Sequence, residues 1–222
     1  MKALSIVGLV LFAGLRSAWS AETNHNFAKW EKEISAFEAG DKTNPPPKGA
    51  VLFIGSSTIR LWKTLAQDFP SVKVINRGFG GSEIVDSTHF AERIIFPYEP
   101  SRIFFRAGGN DLAAGKSAEE VFSDYKDFVA NVRQRLPKAE ITFIGWNPTI
   151  ARWSQVEKEK ALNALVKQYV EQSHGLKYID TYSLPIGADG KPRAELFMPD
   201  KLHFNAEGYK LLAARLRPYV EK

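Results

Sequence analysis

The sequence predicts an α/β protein, a three-layer α/β/α sandwich around a five-stranded parallel sheet. Short apolar runs alternate along the chain with longer segments of helical periodicity, the pattern that parallel strands and their crossover helices produce. Its 222 residues, 44% hydrophobic and 25% charged, suffice for one sizeable core. No internal repeat, low-complexity tract or second apolar pattern asks for another domain.

The elements follow in order. Met1-Lys2, a mostly apolar run from Ala3 to Leu15, and Arg16-Ser17-Ala18-Trp19-Ser20-Ala21 give a basic start, an apolar stretch too short to span a bilayer, and small residues where a signal peptidase reads. Residues 1–20 are therefore expected to be a signal peptide cleaved near Ser20. The mature protein is then periplasmic or extracellular, with no stable membrane anchor. Phe27, Trp30, Ile34 and Phe37 recur at spacings of three and four and predict an amphipathic helix ending at Gly40. Residues 41–48, with three consecutive prolines, read as a connector, so that a helix and connector over 21–48 lead into a main domain over 49–222.

Within that domain, strands are expected at Ala50–Ile54, Val72–Ile75, Arg102–Arg106, Ile141–Gly145 and Lys177–Ile179. The clearest helices run over Ala118–Leu136 and Gln155–Ser173, and a last one over Ala206–Val220 has Asn205 placed to cap it. Asp124, Asp127, Glu157 and Glu159 read as solvated helix faces. In an open sheet of this kind the ligand site lies at the carboxyl ends of the strands, near a topological switch point.

Composition removes several classes of function. There is no cysteine, so disulfides, a lipidated cysteine, a thiol nucleophile and thiolate metal ligation are all excluded. The formal charge is +5, but without Lys2 and Arg16 only 28 basic side chains face 25 acidic ones. No basic run or stripe with interleaved aromatics marks a nucleic-acid surface. His25, His89 and His174 are scattered and lack carboxylate spacing, which implies no metal site and no cofactor.

Four strand-end or loop segments carry chemistry. Gly55-Ser56-Ser57 follows the first strand, where a sheet presents its site, although such a segment also opens helices as a simple cap. Gly78-Phe79-Gly80-Gly81-Ser82 follows the second and lets backbone amides approach a ligand. It lacks the third glycine spacing and the distant acid of a dinucleotide site. Gly108-Gly109-Asn110 follows the third, and an asparagine amide there can donate into a site or merely form a turn. Asp200-Lys201-Leu202-His203 comes last: a carboxylate three residues before a histidine can hold one ring nitrogen while the other acts as a base. Each segment alone has an ordinary structural explanation; the ordered set points to Ser57 as a nucleophile with Asp200 and His203 as its acid-base partners.

This arrangement resembles the SGNH or GDSL family of esterases and acylhydrolases, and particularly a bacterial branch with Gly-Ser-Ser in the first block. The resemblance implies a flavodoxin-like sheet, catalytic Ser57, Asp200 and His203, and an oxyanion hole from the backbone amides of Ser57 and Gly81 and the side chain of Asn110. Two departures stand out. Ser56 replaces the aspartate of Gly-Asp-Ser, which should alter local hydrogen bonding only, and Lys201 occupies a position where glycine is common.

The expected function is hydrolysis of short-chain acyl esters, including acetyl esters of carbohydrate, with a small-molecule or carbohydrate ester as partner and no nucleic acid. An acyltransferase or thioesterase on the same triad, and a non-catalytic carbohydrate-binding protein, are the alternatives. Trp62, Trp146, Asn147 and Arg152, with Trp153, are the candidates for substrate binding. For the tryptophans, a place in the core is the competing explanation.

Overall fold

A computed structural model describes residues 25–222, so the expected signal peptide and its cleavage site lie outside the described residues. Five strands, β1 (Val51–Gly55), β2 (Val74–Gly78), β3 (Arg102–Arg106), β4 (Glu140–Ile144) and β5 (Leu176–Ile179), form one parallel sheet in the order β2-β1-β3-β4-β5. The fold is the expected α/β type.

Alternation along the strands divides the core in two. Leu52 and Ile54 of β1, Ile103 and Phe105 of β3, and Ile141 and Phe143 of β4 face the helices Ala118–Arg135 and Val156–Glu171. Val51, Phe53, Phe104 and Ile144 face the opposite way, against the helix Ala206–Val220 through Leu212 and Leu216. Strands buried on both faces read as apolar runs, which is why they were visible in the sequence. Among the described residues no helix is long and apolar enough to cross a membrane.

Boundaries moved where polar side chains found partners. β2 was expected over Val72–Ile75 but pairs with β1 through Gly78. Asn76 and Arg77 remain in the ladder because Asn76 donates to the Ile59 carbonyl at 2.7 Å and Arg77 donates to the Tyr98 hydroxyl at 2.6 Å. The N-terminal helix continues past Gly40 to Thr43, where Thr43 Oγ1 donates back to the Gly40 carbonyl at 2.8 Å. Asp41, expected to begin the connector, instead accepts from Arg77 and from the Tyr98 hydroxyl.

The sheet order reverses between β2-β1 and β3-β4-β5, so the carboxyl ends of β1 and β3 flank the switch point. Gly55 makes the exit from β1 possible. Its φ is 140°, and a Cβ there would lie 2.0 Å from the Arg106 carbonyl oxygen.

Phe105 stacks on Phe128 with ring centroids 4.1 Å apart, and both are fully buried. Phe128→Ala should lower the unfolding free energy by about 3–5 kcal/mol, read from urea or guanidinium midpoints with unchanged slope.

Candidate active site

Ser57 opens the short helix Ser57–Arg60 directly after β1, and the Ser56 amide is pinned to the Arg106 carbonyl at 3.0 Å. This fixes Ser57 Oγ at the rim of the sheet. Its partner arrives from 146 residues away: His203 Nε2 lies 2.8 Å from Ser57 Oγ.

The loop carrying His203 is built to hold it there. Asp200 Oδ2 is 2.7 Å from His203 Nδ1, while its Oδ1 accepts the backbone N–H groups of Leu202 at 2.9 Å and His203 at 3.0 Å. Desolvation opposes ionisation of Asp200, but the hydrogen bonds from the His203 ring and from these two amides outweigh it and hold the carboxyl down at about 2. Lys201 between them has φ 58°, the left-handed region that usually favours glycine. Its backbone is tied at both ends, its N–H to the Met198 carbonyl at 2.9 Å and its carbonyl to the Ala151 N–H at 3.0 Å. The lysine thus adopts the glycine conformation, and the departure from Asp-Gly-Leu-His leaves the loop intact. Asn205 then caps the following helix, accepting from the Glu207 and Gly208 amides at 3.0 and 3.2 Å.

Asn110 lies in the first turn of the helix Gly109–Ala113 after β3. One Nδ2 hydrogen goes to the Ser82 carbonyl at 2.9 Å, and Oδ1 accepts from the Arg152 guanidinium at 2.9 Å, which fixes the amide's orientation and leaves its second hydrogen available. The Ser82 bond also ties the glycine loop to the end of β3. Gly81, the residue before, has φ 78° and lies over the Trp30 ring, 3.2 Å from where a Cβ would stand.

Beside Ser57, Asn110 and His203 lies a cavity of about 20 Å³ whose remaining wall includes Arg106, Arg152 and Glu159. Arg106 and Glu159 were not foreseen. Glu159, expected on a solvated helix face, is only 1% exposed, and its Oε2 has no hydrogen-bond partner among the described residues. Burial pushes its carboxyl up to about 7 against the opposing pull of Arg106 and Arg152. Arg106, 2% exposed, donates to the Gly145 carbonyl and to Asn147 Oδ1 and lies 4.5 Å from the centre of the Trp146 ring. Burial lowers its pKa to about 10.

The substrate-binding candidates separate. Trp146, Asn147 and Arg152 line the cavity. Trp146 also packs against Gly109, where a Cβ would lie 2.7 Å from its ring, and donates its indole N–H to the Ala107 carbonyl at 2.9 Å. Arg152 also holds the Gly109 carbonyl at 2.9 Å. Trp62 does not reach the site: it is 1% exposed in the core behind the sheet, edge-on to Phe53, with its indole N–H donated to Asp68 at 2.6 Å. Trp153, 38% exposed, is outside the cavity lining. Of the scattered histidines, His25 meets Asp86 at 2.8 Å, and His89 stacks on Phe27.

A strand-end serine, histidine and aspartate in hydrogen-bond sequence at the switch point of an open parallel sheet define a hydrolase-like α/β protein. The sequence matches the GDSL-like lipase/acylhydrolase family over residues 55–211, and the chain belongs to that family of ester-hydrolysing enzymes. Solved structures agree on the fold. A Streptococcus pneumonia protein named for platelet activating factor superposes with TM-score 0.77 at 19% identity, over 87% of this chain and 94% of its own. A GDSL-like lipase from Bacteroides thetaiotaomicron gives 0.69 at 18% identity over 88% and 97%. An acetyl-xylooligosaccharide esterase variant from Geobacillus gives 0.63 at 15% identity over 79% and 96%. No curated protein matches the sequence.

The buried Glu159 generates a prediction for stability. Its folded pKa of about 7 exceeds the ordinary carboxyl value of 4.5, so the folded state holds the proton more tightly and ionisation opposes folding. Wild type should therefore lose stability relative to Glu159→Gln as pH rises from about 4.5 to about 7, with a constant difference beyond. Paired urea melts across that range check the sign.

Proposed function

We propose that the protein is a serine ester hydrolase working through an acyl-enzyme on short-chain acyl esters, with acetyl esters of carbohydrate as the leading substrates. The observation that carries the reading is the continuous contact from Asp200 through His203 to Ser57 Oγ, at 2.7 and 2.8 Å.

In this reading Ser57 Oγ attacks the ester carbon as His203 Nε2 takes its proton, and Asp200 steadies the imidazolium. The negative charge on the carbonyl oxygen is held by the amides of Ser57 and Gly81 and the free Nδ2 hydrogen of Asn110. His203 returns the proton to the departing alcohol, leaving an ester of Ser57. Water, deprotonated by His203, then attacks that ester; the acid leaves and Ser57 regains its proton. The Geobacillus esterase of the same fold, named for acetyl-xylooligosaccharides, supports a sugar ester. The leader-like residues 1–20 support export, with cleavage near Ser20.

Ser57→Ala and His203→Ala should each abolish turnover of p-nitrophenyl acetate to a similar extent, because triad members act as a unit. Asn110→Ala should lower kcat by about 10²–10³-fold, or about 2.7–4 kcal/mol, with KM little changed. A phosphonate adduct on a residue other than Ser57, identified by peptide mass mapping, would overturn the assignment. Among p-nitrophenyl esters, kcat/KM should fall as the acyl chain lengthens beyond acetyl; a rise toward octanoate would remove the short-chain preference.

A further inference from the structure

Glu159 is a carboxyl that nothing in the reaction above uses. It stands on the first turn of the helix Val156–Glu171, is buried, and lines the same cavity as Ser57, Asn110 and His203. Its Oε2 has no hydrogen-bond partner among the described residues. A buried acceptor left in that state favours any ligand that brings a donor to it.

Three observations define the donor. The cavity holds about 20 Å³, room for one water-sized group such as a single hydroxyl. Arg106 and Arg152 line the same wall as Glu159, so a cation on the substrate would meet two guanidinium groups there, which favours a neutral donor. The wall further contains the polar side chains of Asn147 and Thr149, which suit an oxygen better than a methyl group.

We propose that this cavity is a hydroxyl-recognising subsite, in which Glu159 accepts a hydrogen bond from a neutral hydroxyl carried by the substrate next to the reacting ester. The inference rests on the ester-hydrolase reading and narrows its substrates to hydroxylated esters. The hydroxyl belongs either to the alcohol, as in the monoester of a sugar diol, or to the acyl group, as in a glycolate.

Four esters in two pairs separate these sources. 2-Hydroxyethyl acetate is compared with 2-methoxyethyl acetate, and ethyl glycolate with ethyl methoxyacetate. Each methoxy partner retains the electron-withdrawing oxygen, loses the donor and gains a methyl group, and the Glu159→Leu ratio separates loss of the donor from added bulk. Wild type should prefer the hydroxyl member of one pair by about tenfold or more in kcat/KM, since a site built for a hydroxyl discriminates strongly against an analogue lacking it. The preferred pair identifies the side of the ester that enters the cavity. Glu159→Leu should bring that ratio close to one. Equal kcat/KM within both pairs overturns the inference while leaving the esterase reading intact, and so does an undiminished ratio in folded Glu159→Leu. No turnover of any of the four esters overturns both readings together. The wild-type comparison requires no variant, so a folding defect in Glu159→Leu does not shield the proposal.

Discussion

The ends of β1 and β3 approach each other more closely than a side chain would allow, and the candidate site grows out of that contact. At Gly55 a Cβ would stand 2.0 Å from the Arg106 carbonyl, and the same carbonyl accepts the Ser56 N–H at 3.0 Å. One carbonyl thereby fixes where the chain leaves β1 and so where Ser57 stands. The continuation of β3 through Gly108 and Gly109 brings Asn110 to the same rim, on the other side of the switch point. Two strands distant in sequence thus deliver Ser57 and Asn110, the proposed nucleophile and oxyanion donor, as a consequence of one backbone contact.

What β1 and β3 cannot supply is His203, the proposed base, which comes from beyond β5, and its loop is fastened to the rest of the site. The Ala151–Lys201 backbone bond joins the loop after β4 to the Asp200–His203 turn, and Arg152, the next residue, grips Asn110 Oδ1 and the Gly109 carbonyl. The loop after β4 therefore touches the His203 turn on one side and Asn110 on the other. A displacement of this loop would disturb both at once, which is how a segment outside the triad can govern its geometry.

Sequence reading succeeded where the pattern was local and failed where it depended on which face a residue took. The strands stood out because both faces are buried, and the order of Ser57, Gly81, Asn110 and His203 fixed the candidate site before any distance was known. Trp62 was misread because a helical turn starting at Ser57 can aim a residue five positions on toward the site or under the sheet, and nothing local decides which. Glu159 was misread for the opposite reason, since a signal existed and was overruled by residue type. With spacings of three and four it shares the stripe of Leu162, Asn163, Val166 and Val170, all buried, and an acid on such a stripe faces the core. Arg106 is the same case in a strand, a charge at the end of Ile103-Phe104-Phe105 that terminates in carbonyls and Asn147 instead of solvent.

The N-terminal helix raises the question of what counts as the hydrolase unit. Residues 25–43 precede the family match, which starts at 55, yet they pack into the same core through Trp30 and Ile34. The ion pairs of Arg93 with Glu31 and Glu38 are largely exposed and contribute little on their own. Burial of the apolar side chains is the larger effect, about 1.5–3 kcal/mol for each one fully covered. Trp30 gives this segment a bearing on the site as well, because its ring contacts Phe79 edge-on at 5.7 Å and supports Gly81 from beneath. A glycine at φ 78° has no side chain of its own to hold its amide in place. Packing from below holds it instead, so the segment ahead of the matched region belongs to the structure that positions the glycine loop proposed for the oxyanion.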